Sequence, residues 1–340
     1  MASDSYRLSG VDLDLMDGLK ERIKAYAATT HGPEVLNAGG SFAGLYQLSG
    51  FSQPVLVAST DGVGTKLKIA ATLGHFESIG QDLVTLNVND ILTQGAKPLF
   101  FLDYIAFGSL DQQTIDTLMR GITWCCREVG CALIGGETAQ MPGVYTGSEL
   151  DLAGFVVGAV ERDRLITNSE VALGDYLVGV PSSGVHTNGF SLVRRVFEID
   201  DNPSVLFHRY DDLNHQLGEE LLIRHRCYYP LLEPVLGMVK GLAHITGGGL
   251  PGKMPAVLPG DLAASFRLGS WQIPPIFDVI QREGPVSTEE MYRVFNMGLG
   301  MVAVCEEGNL AAIQEAVPDS TVVGRVIQRE GDVQVFFENS

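Results

Sequence analysis

Forty glycines occur in this chain of 340 residues, and they gather where apolar runs end instead of spreading as a flexible linker. Glycine at such points lets a chain reverse after a strand or before a helix, so the distribution predicts an α/β protein that changes direction many times. Residues 54–59 (PVLVAS) read as a buried strand, 79–95 as a helix with Ile79, Leu83, Leu86 and Ile91 on one face, and 98–107 (PLFFLDYIAF) as a second strand. The clearest amphipathic helix is 111–130: Asp111 can cap it, Ile115, Leu118, Met119, Ile122 and Cys126 share a face, and Gly130 ends it. Strands follow at 131–134 and 151–160.

A polar stretch at 167–174 precedes a new strand at 176–180, which places a domain boundary near residue 168 and predicts domains 1–168 and 169–340. The second half continues with a helix at 190–198, a helical region at 212–236, a TGGG turn at 246–249 and strands near 263–268, 300–305, 321–327 and 333–337. Ser287 and Glu290 have the spacing of a capping box, and 309–317 is a further helix candidate. The fold class expected is therefore α/β with mixed sheets in two domains.

Composition narrows the function. The chain carries 23 Lys and Arg against 41 Asp and Glu, a formal charge of −18, which repels DNA or RNA over most of the surface. A small phosphorylated ligand remains compatible, because backbone N–H groups and a metal ion can neutralise phosphate. No apolar stretch approaches the roughly 18 to 20 residues that span a bilayer, and the first residues lack a signal-peptide pattern, so a cytoplasmic protein with no membrane partner is expected. Cys125, Cys126, Cys131, Cys227 and Cys305 form no CxxC pair and are expected to be buried thiols.

Several glycine-rich segments carry acids. In TDGVGTK (60–66) a carboxylate, Asp61, follows the apolar strand, and Gly62, Gly64, Thr65 and Lys66 come next. Such a carboxylate can coordinate Mg²⁺, exposed N–H groups of the glycine turn can meet phosphate oxygens, and the lysine can balance their charge. The same residues equally suit a tight turn with Asp61 capping the next helix. Asn87, Asp90 and Gln94 recur at helical spacing and give the apolar helix a polar face, either solvated or directed at a metal. Asp103 interrupts an apolar strand, at an exposed end or pointing into a site. Gly136 and Glu137 follow the 131–134 strand, so Asp61 and Glu137 are expected at comparable strand ends, where ligands of open α/β sheets collect. In SSGVHTNG (182–189), Ser182, Ser183, Gly184, His186 and Asn188 offer hydroxyls, donors and an imidazole to a phosphate or carboxamide, unless His186 is a structural turn residue.

Taken together the segments resemble the phosphoribosylformylglycinamidine cyclo-ligases, or AIR synthetases. The residues that carry the resemblance are GVDLD from Gly10, RIK ending at Lys24, VLVASTDGVGTKLKIA from Val55, VNDILTQGAKPLFFLDY from Val88, GGETAQMPG from Gly135, DLAGFVVG from Asp151, SSGVHTNGFSLVR from Ser182, HITGGG from His244 and MYRVFNMGLGM from Met291. The resemblance implies two domains, with the N-terminal sheets of two subunits pairing into a barrel in a homodimer. It implies that ATP phosphorylates the formamide oxygen of formylglycinamidine ribonucleotide, after which an amidine nitrogen attacks and phosphate leaves. It further implies Asp61, Asp90 and Glu137 at Mg²⁺ and phosphate, Lys24 near the nucleotide, a part for Asn87 and Gly136 in binding it, and His186 in a second-domain substrate loop. The family's Pro-Thr-Arg-Ile-Tyr-Val-Lys run is replaced here by Arg224, His225, Arg226, Cys227, Tyr228, Tyr229 and Pro230, and the residues after the triple glycine, Pro251, Gly252 and Lys253, also depart from it. Other ATP-dependent synthetases and kinases of the same superfamily, or a non-catalytic nucleotide-binding relative, are the alternatives.

Overall fold

The structure, a computed structural model, describes residues 8, 10, 12–36, 43–109 and 112–339. The chain falls into two compact units, 1–91 with 97–161, and 92–96 with 162–340.

In the first unit, β1 (Pro54–Gly62), β2 (Lys97–Phe107), β3 (Ala132–Gln140) and β4 (Leu150–Glu161) form one sheet in the order β1-β4-β2-β3. β4 runs antiparallel to β1 and β2, and β3 is parallel to β2, so β1, β2 and β3 point the same way. Helices α1 (Leu13–Ala28), α2 (Lys66–Leu73), α3 (Glu77–Leu92) and α4 (Gln112–Glu128) accompany them. Asp12 caps α1, its carboxylate accepting from the Leu15 N–H at 3.2 Å. α1 is tied to α4 by Arg22 Nε donating to Asp116 at 2.8 Å. Of the helix expected over 111–130, Asp111 lies outside the described residues, while Ile115, Leu118, Met119, Ile122 and Cys126 are buried as the period of 3.6 requires. All five cysteines are buried thiols.

Two strands run further than expected, and the position of Asp103 is decided between its two alternatives. β1 continues through Asp61 and Gly62, β3 through Gly135, Gly136 and Glu137, and β2 carries Asp103 in mid-strand, buried. Pairing with β4 and β2 supplies the backbone partners that override the turn preference of Asp-Gly and Gly-Gly. α3 stops at Leu92, so Gln94 sits in the following turn and not on the helical face of Asn87 and Asp90.

The second unit has a six-stranded sheet of β5 (Tyr176–Pro181), β6 (Gly241–His244), β7 (Leu262–Arg267), β8 (Leu299–Cys305), β9 (Thr321–Gln328) and β10 (Val335–Glu338), in the order β10-β7-β9-β5-β8-β6. Only β10 and β7 pair in parallel. Every residue of β8 is buried, and its Leu299, Val302 and Val304 pack with Phe266, Trp271 and Met254 in the core. α5 (Phe190–Val196) follows β5; α9 (Pro275–Glu283), α10 (Thr288–Val294) and α11 (Glu307–Ala316) cover other parts. Ser287 caps α10 by accepting from the Glu290 N–H at 3.2 Å. The helical region expected over 212–236 is instead broken into α6 (Leu217–Leu221), α7 (Tyr229–Leu232) and a 3₁₀ turn at Glu233–Met238, because Pro230 and Pro234 lack the N–H that a continuous helix needs. A short α8 (Gly249–Lys253) follows the TGGG turn.

Candidate functional site

In the first unit, α3 lies along one end of β1. Ser59 and Asp61 are two apart on the strand and share a face; Asn87 and Asp90 are three apart on the helix and share a face. Asn87 Nδ2 donates to the Asp61 carbonyl oxygen at 3.2 Å and to Leu83 O at 2.8 Å, and Ser59 Oγ donates to Asp90 Oδ2 at 3.0 Å. Asp61 and Asp90 are thus brought to the same strand end. Asp61 is exposed, and its Oδ1 accepts the N–H of Gly62 at 2.8 Å rather than capping α2. Gly64 turns the chain in the left-handed region at φ 57°, and Thr65 precedes the first residue of α2.

Lys66 departs from the phosphate-facing role expected of it. Its side chain is fully buried with that of Asp82 on α3, Nζ to Oδ2 2.6 Å. Burying either charge alone would cost several kcal/mol or more, so the two are held together, and the lysine ties α2 to α3. The partner stands 16 residues away in sequence, beyond any local pattern.

Glu137 also stands apart. The cross-strand row Asp61, Gly154, Asp103, Gly136 faces one side of the sheet, and the next row, Gly62, Ala153, Tyr104, Glu137, faces the other. Asp61 and Glu137 therefore sit on opposite faces and opposite edge strands. Among the described residues no group of three or more His, Cys, Asp and Glu side chains is arranged to hold a metal. Glu137 instead lines, with Thr60, Leu102, Tyr104 and Phe155, a cleft of about 510 Å³ on the open face of the sheet. Lys24 is exposed on α1, paired with Glu21 at 2.8 Å, and that helix packs against α4 and β3, the edge away from β1.

Asp103 shares the row of Asp61, two strands in from it on β2. Burial drives its carboxyl up to about 7, and Oδ2 has no hydrogen-bond partner among the described groups. The Asn87 Oδ1, also buried, is in the same condition. A group that prefers to keep its proton in the interior is the physical consequence.

In the second unit the loop after β5 is held from several sides. Ser182 Oγ donates to Asn296 Oδ1 at 2.8 Å, and Asn296 Nδ2 donates to the Gly184 carbonyl oxygen at 2.9 Å. Ser183 Oγ donates to Arg224 O at 2.6 Å, and the Ser183 N–H donates to His186 Nε2 at 3.1 Å. His186 adopts φ 63°, a left-handed conformation uncommon for a residue other than glycine. Asn188 lies beside the TGGG turn: a Cβ placed on Gly247 would stand 3.1 Å from Asn188 Oδ1. Asn296 is the supporting residue that pattern reading missed, although its segment FNMGLGM stood out.

The model of the family described as AIR synthase related protein, N-terminal domain, matches residues 41–160, and that of the AIR synthase related protein, C-terminal domain, matches 172–336. The chain is 50% identical over 340 residues to the phosphoribosylformylglycinamidine cyclo-ligase of Sorangium cellulosum (strain So ce56), covering 97% of each. Its fold is similar to that of the thiamine-monophosphate kinase of Stenotrophomonas maltophilia K279a, with a TM-score of 0.68, 17% identity and coverage of 94% of this chain and 95% of that one. A structure of the hydrogenase maturation protein HypE in complex with ATP has a TM-score of 0.64 at 15% identity, covering 94% of this chain and 91% of that one. Matched by the family along nearly its whole length, this chain belongs to the phosphoribosylformylglycinamidine cyclo-ligases.

Proposed function

We propose that this chain uses ATP to convert formylglycinamidine ribonucleotide into 5-aminoimidazole ribonucleotide, with release of ADP and phosphate, a ring closure in purine biosynthesis carried out in the cytoplasm. The observation that carries the reading is the end-to-end similarity to a cyclo-ligase of equal extent, 97% of both chains at 50% identity. An amide oxygen leaves poorly, so transfer of the γ-phosphoryl to the formamide oxygen must come first; the amidine nitrogen then attacks that carbon, and phosphate departs.

In this reading residues 1–168 bind nucleotide and metal and make the dimer contact, and 169–340 supply the substrate loop. Nucleotide binding is supported by the HypE structure solved with ATP. Asp61 and Asp90, with the Ser59 hydroxyl beside them, are hard oxygen donors that fit Mg²⁺. When bound there, Mg²⁺ supplies charge neutralisation on the phosphates. The turn at Gly64 and Thr65 offers N–H groups to phosphate oxygens, Gly62 lets the chain approach them with its own N–H bonded to Asp61 Oδ1, and Asn87 fixes the strand end by its bond to the Asp61 carbonyl. Lys24 and the Gly136–Glu137 segment remain proposed nucleotide contacts from the resemblance, apart from the Asp61 and Asp90 pair in this unit. In the second unit Ser182, Ser183, Gly184 and Asn188 shape the loop that receives the ribonucleotide, and His186 donates a hydrogen bond to one of its oxygens. The two-subunit form is a homodimer through the open face of the first unit's sheet.

The test is direct. Purified protein with ATP, Mg²⁺ and formylglycinamidine ribonucleotide should release ADP in step with aminoimidazole ribonucleotide. ATP hydrolysis that does not rise on adding the ribonucleotide overturns the reading.

A further inference from the structure

Three histidines of the second unit, His186, His225 and His244, are buried side by side. The rings of His186 and His225 stack with centroids 3.8 Å apart and 21° between their planes. At its edges His225 is held twice: its Nδ1 lies 3.3 Å from Thr187 Oγ1, and its Nε2 lies 3.1 Å from His244 Nε2. Among the described residues no third His, Cys, Asp or Glu side chain joins His225 and His244 in a metal-holding group, so the contact is a hydrogen bond between the two rings.

A side-chain network runs through the pair. Asn188 Nδ2 donates to Thr187 Oγ1 at 3.4 Å, and the same hydroxyl lies against His225 Nδ1, as donor or as second-site acceptor. Across the His225–His244 contact one Nε2 carries the proton and the other accepts it. The chain Asn188, Thr187, His225, His244 thereby holds the His225 ring at both of its nitrogens. A charged His225 would place an imidazolium 3.8 Å beneath His186 and oppose any positive charge there. His186 in turn accepts the Ser183 N–H at Nε2, so its neutral form carries the proton on Nδ1 and can act as a donor but not as a base at Nε2. Space around the pair is closed by Gly300 of β8, where a Cβ would stand 1.8 Å from the Tyr228 hydroxyl oxygen and 2.7 Å from His186 Cε1.

We propose that His225 is a positioning residue whose ring, pinned at both nitrogens by Thr187 and His244, is the platform that holds His186 in one orientation and one tautomer, with Nδ1–H offered to an oxygen of the ribonucleotide. The proposal rests on the role given above to His186. It makes the departure at residue 225 functional: the imidazole there is an aromatic surface for its neighbour and, through its two nitrogens, a connection from the SSGVHTNG loop to the end of β6.

The experiment compares full-length wild type with His225→Ala and His225→Phe after ¹⁵N-histidine labelling. Long-range ¹H–¹⁵N imidazole spectra near neutral pH, without ligands, should give His186 of the wild type as a single Nδ1–H tautomer, its signals identified by their loss in His186→Gln. In His225→Ala those signals should move towards the average of both tautomers, and kcat should fall about 10- to 100-fold while KM for ATP is unchanged, the scale for a misplaced reacting group. His225→Phe restores a ring and should recover both the tautomer signature and most of kcat. A folded His225→Ala with unchanged His186 signals, or a folded His225→Phe no better than His225→Ala, overturns the proposal. If the alanine variant does not fold, His225→Val, which fills space without a ring, takes its place. Failure of the wild type to turn over the ribonucleotide would defeat the cyclo-ligase reading alone, because the spectra still decide the platform.

Discussion

At the level of single residues, two aspartates on one cross-strand row have opposite characters. Asp61 is exposed at the end of β1, and its backbone is fixed from α3 by Asn87. Asp61→Asn should keep the fold and stability while lowering kcat by about 100- to 1000-fold, the cost of losing one preorganised electrostatic group. Unchanged ADP release at saturating Mg²⁺ would reduce Asp61 to a strand-end residue. Asp103 is buried, and its carboxyl is raised from 3.8 to about 7 by that burial. Because the folded pKa is the higher one, the native state holds the proton more tightly. The stability this confers is complete below about pH 4 and is lost as pH rises through about 7. Asp103→Asn cannot ionise, so its advantage over the wild type should grow by about 2 kcal/mol between pH 5.5 and 8. Urea melts of both proteins at the two pH values, in EDTA, measure it; a constant difference would mean that Asp103 does not titrate between them. The sequence made Asp103 conspicuous as an acid in an apolar strand, but its burial depends on α3 and α4 covering that face.

At the level of elements, local patterns located most strands and helices and failed where distant partners decide. The strand at 54–59 was legible from its apolar residues; its continuation through Asp61 and Gly62 was not, because only pairing with Gly154 and Ala153 of β4 makes that segment extended. Lys66 read as a charge beside a glycine turn, and its true partner, Asp82, became visible only with α3 in place. α9 was overlooked although Pro275 opens it and Ile276, Phe277, Val279 and Ile280 are buried at helical spacing. The glycines of α3 and α4 carry a second message. A Cβ on Gly80 would meet Leu118 O at 2.3 Å, and one on Gly121 would meet Glu77 O at 2.1 Å, so the helices cross backbone against backbone. Gly121→Ala should therefore push α3 away from α4 and cost about 1–3 kcal/mol. Since α3 carries Asn87 and Asp90, KM for ATP should rise in the same variant. A chemical-denaturation midpoint equal to that of the wild type would show that the crossing is looser than the structure has it.

For the molecule as a whole, one face of the first unit's sheet leaves large apolar side chains exposed among the described residues. On the other face α3 lies against β1 and β4, Ile91 of the helix coming within reach of Gly158, and Asn87 bonding to β1. On the first face Leu56 is 64% exposed, Phe155 40% and Tyr104 37%, and the pleat places all three on the same side. Single exposed apolar residues are ordinary, but three large ones across β1, β4 and β2 form a surface suited to a second copy of the sheet. Each protomer carries a formal −18, so self-association works against repulsion, and the apolar face must outweigh it. The proposed dimer should then sediment at twice 36.6 kDa and tighten as salt is raised, since screening weakens repulsion without weakening apolar burial. Phe155→Glu should leave each protomer folded, because the side chain lies on the outer face of the sheet and is 40% exposed, yet weaken the dimer by about 100-fold or more, as removal of a central aromatic anchor does. A wild type that sediments as a monomer at micromolar concentration in high salt rules out this face as the contact. A Phe155→Glu variant that remains fully dimeric places the contact elsewhere on the molecule.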